Sequence, residues 1–463
     1  MGIYICQVCD TEYNEEKEGV SWEDLSADWV CPVCESGKNL FRSKEIADSS
    51  SPESEGAPED EFVRSSDDLE QYMADIHEIA RTGESIIEPM RTRKPVIGWD
   101  DILIKGAQFA RIPLNEKEPV SVRTVIGPKA KQPLVLETPL IVSHMSYGAL
   151  SREAKIALAK GSSAVKTAMC SGEGGILRES LEQSYKYIFE YVPNRYSVTD
   201  EYLKAVDAVE IKLGQSSKPG MGGHLPGHKV TKEIAEVRGF EEGKDIISPA
   251  RFDDITSTAE LREKIAWLKN AAGGKPVGVK IAAGSIEDDL EAVLPAGPDF
   301  ITIDGRAGAT GASPKFIKAA ASIPTLFALY RARKYLDEKG FQDISLIVTG
   351  GLRVSADVAK ALAMGADAAA LATASLMAIG CQQFRVCNTG KCPRGIATQD
   401  PELRARFNIE EGAKGLENFL RVSTEELKTV ARMTGNSDIF DISSRDLCTT
   451  NSEISNFTDI EHV

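Results

Sequence analysis

Eight short apolar runs, each followed by a stretch with helical spacing, constrain this chain more than any other feature. They are PLIVS (139–143), AVKTAM (164–169), NRYSV (194–198), AVEIKLG (208–214), PVGVKIA (276–282), DFITIDG (299–305), SLIVTGG (345–351) and AAALATA (368–374). Short β-branched runs bounded by Gly, Pro or Asn read as strands. Strands that alternate with helices form a parallel sheet, and eight such units close into a (β/α)8 barrel. The other arrangement, an open doubly wound sheet, announces itself by a Gly-x-Gly-x-x-Gly turn after a strand. None of the eight runs is followed by one.

Ahead of the barrel the sequence changes character twice. Residues 1–43 are rich in aromatics and contain two Cys-x-x-Cys pairs, Cys6/Cys9 and Cys31/Cys34. Two such knuckles converge four thiolates on one tetrahedral metal, iron or zinc. Residues 44–66 are Ser-, Pro- and Glu-rich with few apolar side chains, so they cannot bury enough surface to fold. About 20 residues of flexible coil span roughly 25 Å, enough for a small head to reach a site on a larger body. The third unit runs from 67 to 463 and opens on DDLEQYMADIHEIARTG, a helical pattern with an acidic start.

With 54 Lys and Arg against 70 Asp and Glu, the formal charge is −16. That balance repels phosphate backbones, so nucleic acid is not expected as a partner. MGIYICQVCD lacks the basic and apolar regions of a signal peptide. The longest uncharged Ala-rich run, AAALATASLMAIG (368–380), is too short and too weakly apolar to span a bilayer. The expectation is a cytoplasmic protein that does not enter membranes. Nine cysteines there are unlikely to form disulfides. Their grouping points to metal instead: the four in the head, then Cys381, Cys387 and Cys392 close together.

In a barrel, functional groups gather at the C-terminal ends of the strands, and phosphate sites follow the seventh and eighth. Here SHMSYGALS follows the first run, CSGEGG the second, KLGQSSKPGMGGHLPGHK the fourth, and GRAGATGASP the sixth. Lys280 lies near the end of the fifth run, Gly350-Gly351 closes the seventh, and Thr373 follows the eighth. Glycine amides of this kind can cradle a phosphate.

The head, with Tyr4, Tyr13, Trp29, Phe41 and WEDLSADWVCPVC, closely resembles rubredoxin, a one-iron electron carrier. It departs from that family at Asp10 and Glu35, where Gly is usual, and in a shorter middle loop. The resemblance implies one iron, with zinc the alternative. The segments SHMSYGALSREA, SGEGG, EIKLGQSSKPGMGGHLPGHKV, ATGASP, TGGLRVSADVAKALAMGADA and GCQQFRVCNTGKCPRGIATQ, in this order, resemble the FMN-binding synthase domain of glutamate synthases, in its stand-alone archaeal or anaerobic form.

That resemblance implies an FMN barrel that reduces 2-iminoglutarate, formed from 2-oxoglutarate and ammonia, to L-glutamate. It implies a 3Fe–4S cluster on Cys381, Cys387 and Cys392, whose Cys-x5-Cys-x4-Cys spacing it shares. It gives Lys218 and Arg238 to the oxo acid and Glu173 to the imine's protons. Ser143, Met145 and Ser146 would meet the flavin ring, Lys280 its N1 side, Lys212 and Arg195 its surroundings, and Gly350, Gly351 and Thr373 its phosphate. Gly148 would let backbone approach the ring. Cys170 would pack near the flavin without being a ligand. An iron–sulfur protein or oxidoreductase subunit would supply electrons, and free ammonia or a separate glutaminase subunit the nitrogen. The chain departs from the family at His224, at Phe252 and Asp253, and at Arg306–Ala309. The same cofactors acting on another oxo acid, an alkylamine–glutamate transfer, or a non-catalytic electron-transfer subunit are the other readings.

Overall fold

The computed structural model describes residues 2–6, 11–26, 29–33, 36–43, 70–89, 96–216, 218–308, 310–311 and 313–463. Cys9, Cys34 and the 44–66 segment lie outside them.

In the head, β1 (Ile3–Cys6) pairs antiparallel with β2 (Glu12–Asn14) on one side and β3 (Phe41–Ser43) on the other. Its core is small: Cys6, Tyr13, Cys31 and Phe41 are buried, with Tyr4, Trp22, Leu25, Trp29 and Leu40 against them. Trp22 stacks on Tyr4 at 4.4 Å between ring centroids, and Trp29 meets Tyr13 edge-on at 5.3 Å. Among the described residues, two of the four buried hydrophobic side chains are cysteines, so the interior of this unit is built around thiols.

Three short strands precede the barrel: β4 (Ile102–Ile104), β5 (Thr124–Ile126) and β6 (Leu134–Leu136). The β5–β6 hairpin buries Ile126, Leu134 and Leu136 against Ile141, Ala168, Ile188, Ala208, Phe300 and Ile347, closing the N-terminal end of the barrel. The barrel strands follow: β7 (Leu140–Val142), β8 (Ala168–Cys170), β9 (Lys186–Tyr191) and β10 (Ala208–Lys212). A loop hairpin of β11 (His224–Leu225) and β12 (Ile246–Ile247) intervenes. Then come β13 (Val277–Ala282), β14 (Phe300–Asp304), β15 (Ser345–Thr349) and β16 (Ala368–Leu371). All eight pair in parallel in one closed ring. Near the C-terminus β17 (Leu447–Thr449) joins β4 and β18 (Glu461–His462) in a small outer sheet.

Seven of the eight expected runs contain a barrel strand. The third does not. NRYSV forms a turn in which Arg195 and Ser197 take φ of 53° and 57°, a left-handed conformation that breaks a strand. The strand in its place is KYIFEY, whose Lys186 and Glu190 interrupt the apolar run. The helix expected at the start of the third unit is present as Met73–Thr82, ending on Gly83 in the left-handed conformation. Among the described residues no helix is long and apolar enough to cross a membrane.

Candidate active site at the C-terminal face of the barrel

Glu173 stands just beyond β8, and Lys212 ends β10. The Lys212 ammonium donates to Glu173 Oε2 at 2.6 Å and to Gln215 Oε1 at 2.7 Å. Lys218 is buried at 5% exposure on the loop that follows β10. Burial works to raise the Glu173 pKa, but Lys212, a hydrogen bond from Ser248 and Lys218 overcome it and hold the carboxyl at about 2. Glu173 is therefore an anion at neutral pH. Burial and the neighbouring Lys212 push Lys218 down, with Glu173 opposing them. Gly223 closes over this pair, because a Cβ there would lie 2.4 Å from Glu173 Oε1. The result is a cavity of about 180 Å³ lined by Glu173, Lys212, Gly223, Arg251, Phe252 and Ile255 among others. A larger cavity of about 510 Å³ adjoins it, sharing Leu213, Gly214 and Ile255, but has no lysine or arginine on its wall.

Arg238 ends the helix Lys232–Arg238. It is buried, donates from Nη2 to the Tyr147 carbonyl at 2.7 Å and lies 5.2 Å from the centre of the Tyr196 ring. Its Nε is buried without a hydrogen-bond partner. Burial lowers its pKa, with Tyr196 and Glu173 opposing. Glu173, Lys218 and Arg238 thus fall within one electrostatic neighbourhood. Arg195 does not join them: its side chain is half exposed and paired with Asp254 at 2.7 Å. Space beside Gly148 is occupied by Leu225 Cδ2 and Arg238 Nη2, 2.9 and 3.1 Å from where a Cβ would stand. That glycine makes room for protein.

A charged layer inside the barrel lies below this site. Lys280 Nζ is 3.5 Å from both Glu190 Oε1 and Asp304 Oδ2. Thr302 Oγ1 donates to Glu210 Oε2, and the amide of Gly172 donates to His144 Nδ1 at 3.1 Å. The other ring nitrogen of His144, Nε2, lies 3.2 Å from Glu210 Oε1. Burial alone would lower the Lys280 pKa, but Glu190, Asp304 and Glu210 raise it, fixing a permanent cation. Burial pushes Asp304 up, against Lys280. Among the described residues, His144, Glu190 and Glu210 are the one set of three whose ligand atoms all lie within 4.8 Å. The Lys280 ammonium already supplies a cation to the two acids. Lys155, also buried, donates to the carbonyls of Met145, Cys170 and Ser171 at 2.8–3.2 Å and ties the first two loops together. None of this layer except Lys280 was anticipated. An acid inside an otherwise apolar run, as in YIFEY, AVEIK and FITID, was the available signal.

The residues expected around a flavin stand together in part. Ser143 is buried, with its amide bonded to the Leu371 carbonyl across the ends of β7 and β16. Met145 and Ser146 are half-buried, and Gly172 packs on their backbone. Gly350 and Gly351 take φ of 110° and 89°. A Cβ on Gly351 would meet Ala307 at 2.2 Å and one on Gly350 the Gly305 carbonyl at 2.6 Å, so only glycine fits here. Thr373 opens the short helix after β16. Beside the glycines, Ser216 Oγ is buried without a hydrogen-bond partner among the described residues, near Gly308. A glycine cradle with an unsatisfied hydroxyl after the sixth and seventh strands fits a flavin phosphate.

Cys381, Cys387 and Cys392 are largely buried on one loop. Burial first, then Cys381 and Cys392, raise the Cys387 thiol to about 12, with Lys229 opposing. The three thiols feel one another, yet they are not drawn within 4.8 Å as a set. Lys229 reaches this loop and donates to the Cys387 carbonyl. Phe384, between Cys381 and Cys387, packs against the aromatic core of the head. In the head, Cys6 and Cys31 are fully buried, while Cys9 and Cys34 lie outside the described residues.

The departures fall in different places. Phe252 lines the small cavity and stacks on Tyr191, 5.6 Å between centroids. His224 is exposed and bonded to Asp245 at 2.8 Å, and Asp253 is exposed. Arg306 turns to the end of the helix Lys315–Ala320, donating to the Ala319 and Ala321 carbonyls at 2.6 Å each.

The closed eight-stranded parallel barrel, with cations, a carboxylate and a glycine cradle on its C-terminal face, shares its fold with flavin-dependent barrel oxidoreductases. Residues 93–437 match the model of the conserved region in glutamate synthase, and residues 3–41 match rubredoxin. The chain belongs to the glutamate synthase family and carries a rubredoxin domain at its N-terminal side. It is 39% identical over 384 residues to an archaeal-type glutamate synthase [NADPH] of Thermotoga maritima, covering 78% of this chain and 76% of that protein. It is 38% identical over 392 residues to the archaeal glutamate synthase [NADPH] of Methanocaldococcus jannaschii (78% and 77% covered). A glutamate synthase large subunit-like protein of Rhizobium meliloti is 36% identical over 396 residues, with 81% and 90% covered. Among solved structures, a flavocytochrome b2 variant with sulfite bound shares the fold: TM-score 0.50, 16% identity, 75% of this chain and 76% of that one.

Proposed function

We propose that this oxidoreductase aminates 2-oxoglutarate reductively to L-glutamate, with a 3Fe–4S cluster on Cys381, Cys387 and Cys392 and electrons entering through the head. One juxtaposition carries the reading: an ionised Glu173 paired with Lys212 on the wall of a small cavity, beside Lys218 and with Arg238 in the same field. A dicarboxylate needs cations in a site poor in competing anions. Lys218 and Arg238 supply them, since Glu173 is already matched by Lys212. Ammonia condenses with the keto group and releases water. The imine carbon then takes a hydride and its nitrogen a proton; the ionised Glu173 can accept a proton or steady a cationic imine but has none to give. FMN, held by the Gly350–Gly351 cradle, Thr373 and Ser216, supplies the hydride when bound. Lys280, pinned by its acids, holds positive charge beneath the ring site.

The contact of Phe384 with the head supports electron entry there. Two of the relatives named above, those of Thermotoga maritima and Methanocaldococcus jannaschii, carry NADPH in their names. Here a separate oxidoreductase or iron–sulfur protein would hand electrons to the head, and a glutaminase subunit or free ammonia would provide the nitrogen. Cys9→Ser should impair turnover with such a donor and spare activity with chemically reduced protein. Equal loss in both assays rejects the head as the entry point.

A second reading rests on Phe252, which puts an apolar ring on the cavity wall where the resemblance leads to expect a histidine: the acceptor would be a more apolar oxo acid. Titrating FMN-loaded protein with 2-oxoglutarate, and with 2-oxo acids bearing apolar side chains, decides between the two. Perturbation of the flavin absorbance by 2-oxoglutarate, lost in Lys218→Ala, supports the first. A response to the apolar acids alone supports the second.

A further inference from the structure

Lys229 is 4% exposed, and among the described residues it has no carboxylate in salt-bridge contact. A buried ammonium without a counter-charge is costly, so such groups sit beside anions. The short 3-10 turn Gly227–Lys229 after Pro226 aims the side chain at the cysteine loop. There Nζ donates to the Cys387 carbonyl, and Cys387 and Cys392 are the thiols that act on it electrostatically. Gly390 lets it in: a Cβ there would lie 3.1 Å from Lys229 Cε. The loop that covers Glu173 with Gly223 therefore ends, six residues later, with a cation against Cys387 and Cys392.

We propose that Lys229 is the buried counter-cation of the cluster held by Cys381, Cys387 and Cys392, and that its charge raises the cluster's reduction potential. The proposal rests on the cluster assignment above. Each reduction adds one electron to an assembly that three thiolates already make negative. A fixed ammonium at the edge of that assembly stabilises the reduced form, and no proton need move.

Two variants separate charge from hydrogen bonding. Lys229→Gln keeps an N–H donor for the Cys387 carbonyl and removes the charge, while Lys229→Arg keeps the charge. Iron and acid-labile sulfide analysis of the wild-type protein comes first; absence of a cluster there sinks the assignment itself. With the cluster present, an anaerobic redox titration followed by electron paramagnetic resonance gives its potential. Lys229→Gln is expected to shift the equilibrium at least tenfold toward the oxidised form, about 59 mV for one electron. Lys229→Arg should stay near wild type, and the flavin potential should not move. A cluster that assembles only with a cation at 229 also supports the proposal. Unchanged potential in both variants, equal falls in both, or loss of the cluster in both would overturn it and leave Lys229 as packing.

Discussion

The head and the barrel solve the problem of a stable interior in opposite ways. Among its described residues the head buries four hydrophobic side chains, and two of them are cysteines. A unit of about 40 residues cannot supply enough apolar surface by itself and needs a metal. The barrel has a continuous apolar core. It uses that surplus to hold Lys280, Glu190, Glu210, Asp304 and Lys155 away from water. In one region the functional group makes the fold, and in the other the fold tolerates the functional groups.

The contrast is tested most sharply by stripping the metal. Cys6→Ser should unfold the head alone, since a structural metal contributes on the order of 10 kcal/mol to such a unit. The Trp22 and Trp29 fluorescence would shift to that of exposed indole, while the thermal transition of the barrel stays in place. Loss of both together would mean that the barrel depends on the head. In the barrel, Lys280→Met should cost about 3–5 kcal/mol in denaturant unfolding, because it strands buried carboxylates. A neutral result would show that the acids there are protonated and need no cation.

Glu173 should make stability pH-dependent. Its folded pKa of about 2 lies below the unfolded value of 4.5. Its contribution is full above 4.5 and is lost as pH falls toward 2. A shift of this size corresponds to about 3 kcal/mol, and Glu173→Gln should flatten the slope of stability against pH over that window. The smallest effect belongs to Phe384→Ala, expected to weaken head docking by about 1–2 kcal/mol and visible as faster proteolysis between head and barrel. Potentials of the metal centres should not move in that variant.

Much of the barrel was legible because interior strands must be apolar and short. The third strand was not, because Glu190 points into a charged interior and makes KYIFEY read as surface. Glu173, Lys218 and Arg238 were proposed from motifs whose glycines and charges are local in sequence. Lys229 was missed for the opposite reason: its partner Cys387 is 158 residues away. Arg306 looked like a change in the site, but its guanidinium goes to the carbonyls at the end of a helix.

The central claim is that this barrel makes glutamate from 2-oxoglutarate and ammonia. The most direct test is a single half-reaction. The FMN- and iron-replete protein is reduced chemically without oxygen and mixed with 2-oxoglutarate and ammonium, while flavin absorbance and glutamate are followed. Rapid reoxidation with one glutamate formed per reduced flavin is the predicted result. A flavin that stays reduced, with all metal centres confirmed present, would contradict the claim.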